Sequence, residues 1–185
     1  MGIIDKILGQ DGEEDAEDNS KPTSVNAQGT SVTNRTEIIL EHYDVTGIQA
    51  KNIAEILDQQ VSEKQSGVSL DEIIDEIIDS TELNQDIAST IARTEYASIT
   101  MTNRINKYRS QGYEDTDYKL VVKDCHEICM DARDEIDDRD GVSLDELQSI
   151  LRENAESHQD GTPERMDHWV PHEKCKAAIT RHVSR

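Results

Sequence analysis

The chain has 185 residues, with 40 Asp and Glu against 19 Lys and Arg, a formal net charge of −21 and no phenylalanine. So acidic a chain argues against naked nucleic acid as a main ligand, because phosphate binding relies on clustered Lys and Arg that release counterions. Hydrophobic residues make up only 34%, and no apolar run approaches the roughly 20 residues that cross a bilayer, so a membrane span is excluded too.

The acid is unevenly spread. Residues 1–92 hold 20 acids and 5 bases, and residues 93–185 hold 20 and 14. Dense carboxylates mark either disorder or a surface adapted to molar salt, which screens their repulsion within about 3 Å at 1 M. Adaptation is favoured, because long segments keep a periodic apolar face that a disordered chain lacks. The expected host is a halophile. No secretory signal or myristoylation pattern is visible at the start, and three cysteines argue against a disulfide framework, so the chain is expected to be intracellular when made.

In chain order, residues 1–9 offer Ile3, Ile4, Ile7 and Leu8 as one side of a short helix that docks on a neighbouring subunit, the alternative being a frayed terminus. Residues 10–34 are rich in acid, Gly, Pro and Ser without periodicity, and read as a flexible linker. A helical region is expected over 35–112. It starts near Thr36, breaks at Thr46-Gly47 and pauses at Ser66-Gly67, and Ser69 with Glu72 then forms a capping box ahead of Leu70, Ile73, Ile74, Ile77 and Ile78. A long helix follows over about 84–110 and stops at Gly112.

Residues 113–185 read as a small α+β module. Residues 118–123 have strand character, short helices follow Cys125 and Ser143, and 177–183 is expected to pair with 118–123. The predicted fold class is α+β, mostly α, with a helical stalk followed by a zinc-stabilised module. Gly67–Glu72 reappears as Gly141–Glu146, but unmatched flanks argue for a shared way of starting a helix rather than a duplication.

Cys125 and Cys129 lie four apart, and His172 and Cys175 three apart. Two close pairs of soft ligands across a longer loop are what a tetrahedral structural Zn2+ site uses, and a small core without phenylalanine gains most from such a cross-link. The C-x3-C spacing is one residue longer than a tight knuckle, which leaves His126 as a possible substitute ligand. The alternative is two buried thiols and unrelated surface histidines. No catalytic motif is complete: Met130 and Lys176 stand where H-E-x-x-H needs its second histidine, and the acidic run Asp137–Gly141 fits no EF-hand register.

The run Gly67–Ile74, then Ile91-Ala92-Arg93-Thr94-Glu95, then Asn103 through Tyr108 and Gly112, resembles the phage Mu F-like head morphogenesis, or minor head protein, family. The order continues with a strand, a cysteine pair, an acidic turn at Asp140-Gly141 and Pro171-His172-Glu173-Lys174-Cys175, over about residues 45–183. Lys176-Ala177 replaces the family's closing R-C. The resemblance implies a minor component of a tailed-virus head that acts in head morphogenesis or genome delivery, bound to portal and/or major capsid protein or to further copies of itself as a homo-oligomer, in the virion and assembled in host cytoplasm, without catalytic residues. Its metal ligands would be Cys125, Cys129, His172 and Cys175. Within I-A-R-T-E, Arg93 and Glu95 cannot meet as i, i+2 neighbours; Arg93 is expected to reach a carboxylate near the zinc module. Two rival readings are a zinc-stabilised enzyme or toxin fragment, and a nucleic-acid-binding regulator using Arg104, Lys107, Arg109, Lys119 and Lys123.

Overall fold

A computed structural model describes residues 32–62, 69–113, 116–123 and 125–183. The docking helix expected at 1–9, and the linker as far as residue 31, lie outside the described residues.

The first helix, α1 (Val32–His42), begins inside the expected linker. The linker reading misses this because the anchor is a charge: Arg35 is pinned by a carboxylate 60 residues away, which holds helix where no apolar pattern announces it. The expected break follows, and α2 (Gly47–Ser62) opens on a reciprocal cap. Thr46 Oγ1 accepts from the Gln49 N–H at 3.3 Å, and the Gln49 side chain accepts from the Thr46 N–H at 2.9 Å. Helix α3 (Leu70–Thr81) carries the expected Ser69/Glu72 capping box and buries Ile73, Ile74 and Ile77. Helix α4 (Gln85–Ser110) starts where the Asn84 side chain accepts from the Ile87 N–H. Its 26 residues span about 39 Å at 1.5 Å per residue.

That length lets α4 serve two apolar cores. Ala88, Ile91, Ala92 and Ile99 pack with the isoleucines and Leu57 of α1–α3. Met101 and Ile105 pack into a second core with Tyr118, Ile136, Leu147 and Trp169. The second core is roofed by a two-stranded antiparallel sheet, β1 (Tyr118–Val121) with β2 (Ala178–Arg181), in the register Leu120↔Ile179. Both strands are shorter than the sequence suggests: Val122 and Lys123 after β1, and Ala177, His182 and Val183 around β2, lie outside the ladder. Helices α5 (Glu127–Asp138) and α6 (Leu144–Ser157), then a 3₁₀ helix (Pro163–His168), complete the module. The described residues are mostly α with one small sheet, as the sequence predicts.

The repeated hexamer starts α3 and α6. Around α6 only Ser143 capping the Glu146 N–H is present. The acidic turn between α5 and α6 is held by Lys119, 3.6 Å from Asp137 and 3.2 Å from Asp140. Gly141 there has φ +107°, and a Cβ would lie 3.1 Å from Asp117 Cβ, so the turn suits glycine alone.

Candidate metal centre

The module brings four donors to one point. Cys125 precedes α5 and Cys129 lies in its first turn, so one helix start sets both sulfurs. His172 and Cys175 come from the loop between the 3₁₀ helix and β2, which several contacts fix. His172 bridges to Gly161, Thr162 N–H and Oγ1 donate to the Pro171 and Val170 carbonyls, and the Lys174 N–H donates to Thr94 Oγ1 on α4 at 2.9 Å.

Nε2 of His172 lies 3.2 Å from Cys129 Sγ and 3.6 Å from Cys125 Sγ, and the Cys129 and Cys175 sulfurs are 3.6 Å apart. All four donor atoms fall within 4.8 Å of one another. A tetrahedron of metal–sulfur bonds of about 2.3 Å has edges of about 3.7 Å, so the cluster is already close to the size of a coordination shell. The His172 ring is oriented to act as a ligand. Its Nδ1 lies 2.7 Å from the Glu173 carbonyl, which holds a proton on Nδ1 and turns Nε2 to the sulfurs. The four residues could hold a metal ion. Three sulfurs and an imidazole form a soft set that suits zinc or a related thiophilic ion and not calcium or magnesium.

The protons of the cluster are polarised. Hydrogen bonds from Cys129 and then Cys175 hold the Cys125 thiol far below its ordinary range. Cys129 is driven far above its own, first by the bond to Cys125, then by Cys175 and burial. For His172, burial is the largest influence and favours the neutral ring. Contacts with Cys125, Cys175 and the Glu173 carbonyl outweigh it, and the imidazole is pushed up to about 10. A divalent cation would displace these shared protons and supply the positive charge that His172 otherwise carries.

His126 is not a fourth-ligand substitute. Its Nδ1 caps α5 by accepting from the Ile128 N–H, and its Nε2 is 2.7 Å from Asp160. Both nitrogens are committed, and the ring stacks on His172 at 4.9 Å between centroids. Arg93 also departs from expectation. It bonds Ser89 on its own helix and pairs with Asp71 of α3 at 3.5 Å, because its face of α4 turns to α3 rather than to a carboxylate of the module.

Glu95 holds the link that sequence reasoning places only loosely. Fully buried, it receives Arg35 of α1 at 2.6 Å, Arg165 of the 3₁₀ helix and the Tyr43 hydroxyl at 3.1 Å. Burial, the largest influence, favours its neutral form, but the two guanidiniums prevail and hold its carboxyl below the usual range. The signal available in sequence is an acid at the i+4 position from Ile91 and the i−4 position from Ile99, on the buried side of α4. Arg165 gives no such signal, since its short helix has no period.

Compared with known proteins, the chain matches no protein-family model, no curated protein and no solved structure. No helix among the described residues is long and apolar enough to cross a membrane.

Proposed function

We propose that the chain is a minor structural protein of a tailed-virus head, associated with portal or capsid, whose C-terminal module is locked by structural Zn2+. The observation that carries this reading is the convergence of Cys125, Cys129, His172 and Cys175 from pairs more than forty residues apart. The same four positions are those at which the sequence resembles the Mu F-like head proteins, in co-linear order with the I-A-R-T-E helix. Four protein donors leave no open coordination position for a water nucleophile, which favours a structural ion over a catalytic one. The long α4 shared by both cores gives a stiff body, suited to presenting surfaces to larger partners rather than to enclosing a substrate.

Two measurements test the reading. Elemental analysis of protein purified without chelator is expected to give one zinc per chain, and a metal-free protein with an EDTA-insensitive melt would refute the site. Mass spectrometry of purified virions, or of a portal pulldown, is expected to recover the chain at low copy number. Its absence from both would refute the assignment to the head.

A further inference from the structure

A cleft of about 290 Å³ opens between α4, the start of α3 and the loop leading into β2. Its floor is apolar, built from Leu70, Tyr96, Met101 and Ala177. Its rim is basic: Arg93, Arg104, Lys174 and Lys176 line it, and among the described residues no acid does. In a chain with twice as many acids as bases this segregation is unusual. Arg93, Lys174 and Lys176 also line an adjoining cavity of about 350 Å³ that reaches Cys125 and His172, with Glu173 as an acid on its edge. No ion pair among the described residues engages Lys174 or Lys176, and both are exposed.

The N-terminal 31 residues carry the complementary chemistry. Ile3, Ile4, Ile7 and Leu8 are followed by six acids between Asp11 and Asp18, with no base among them. Apolar side chains followed by a carboxylate run match an apolar floor edged by cations. The 23 residues from Gly9 to Ser31 reach at most about 75 Å at 3.3 Å per residue, well beyond the half-length of α4 that separates Arg35's anchor at Glu95 from either end of the helix.

We propose that this cleft is the seat of the chain's own N-terminal segment, residues 3–18, with Ile3, Ile4, Ile7 and Leu8 on the apolar floor and the acidic run against Lys174 and Lys176. The apolar contact does not depend on salt, while the charge contact orients the segment and weakens as ionic strength rises. This seating does not depend on which larger assembly the protein joins.

The test uses the full-length chain with a photo-crosslinking phenylalanine analogue in place of Thr100, an exposed lining residue. Irradiation at micromolar protein is expected to give a product of monomer mass, with the link mapped to residues 3–18. Ile3→Asp with Ile7→Asp lies outside every described contact and so leaves the described body intact; it is expected to abolish that link. Lys174→Glu with Lys176→Glu, checked for unchanged metal content, is expected to lower the yield about fivefold, the worth of one or two exposed ion pairs. A link to any other segment, a link joining two chains, or a yield unmoved by the arm variant would overturn the proposal.

Discussion

Glu95 carries one negative charge between two buried guanidiniums, and removing it would leave both arginines without their counter-ion. Glu95→Gln is therefore expected to cost about 3–5 kcal/mol, the range for breaking a buried pair on one side, read as a lower urea midpoint. The pH dependence has a definite sign. Because the folded carboxyl lies below its unfolded value, its contribution is complete above the unfolded pKa near 4.3 and is lost as pH falls through the folded value. The gap between wild type and Glu95→Gln should thus be constant at neutral pH and narrow in acid; a gap that widens in acid would contradict the assignment. A second residue contrast separates cap from ligand. His126→Ala removes the side-chain acceptor for the Ile128 N–H, so about 1 kcal/mol of stability should go with it while zinc content stays at one per chain. His172→Ala should abolish the zinc.

At the scale of elements, the loop that supplies His172 leans on the end of α6 through Gly161. A Cβ at Gly161 would lie 1.8 Å from the Ala155 carbonyl oxygen, so Gly161→Ala must push the loop off the helix. The expected loss is about 1–3 kcal/mol, as for other overpacked sites, with weaker metal affinity because Gly161 bridges His172. Gly47→Ala, which meets nothing within 4 Å, is the control and should be neutral or stabilising. A competition assay with a chromogenic chelator distinguishes the two. What the sequence makes legible here follows from how local each cause is. The Ser69/Glu72 box and the Asn84 start of α4 depend on neighbouring residues, and the β1–β2 pairing, though distant in sequence, follows because only two segments of the module have strand character. The ligand set is legible because soft donors are few. The beginning of α1 at Val32 and the Glu95–Arg165 link are not legible, since each is decided by a partner at least 60 residues away. The same limit explains Arg93, whose carboxylate partner depends on which way α4 turns against α3.

Among the described residues two apolar cores share α4 and the buried Glu95 ion cluster, and the four candidate metal ligands border the second core. A net charge of −21 adds repulsion between the parts, which salt screens. The melting temperature should rise between 0.1 M and 1 M NaCl, and an unchanged melt would remove the case for a salt-adapted surface. Metal removal should act unevenly. In the second core Cys129 and Cys175 are buried among Tyr118, Leu120 and Ile179, so loss of the ion releases two segments from a core without phenylalanine. The first core is closed by isoleucines of α1, α2, α3 and α4, and none of the four candidate ligands belongs to it. After EDTA at 1 M NaCl, hydrogen exchange should accelerate across 116–183 while α2, α3 and the first half of α4 stay protected, and added Zn2+ should restore the pattern. Protection around Arg35 and Tyr43 should fall in part, because Arg165 departs with the 3₁₀ helix and leaves Glu95 with one guanidinium. Uniform loss through α2 and α3 would mean that the ion cluster, and not the separate packing of the isoleucines, sets the cooperativity of the fold.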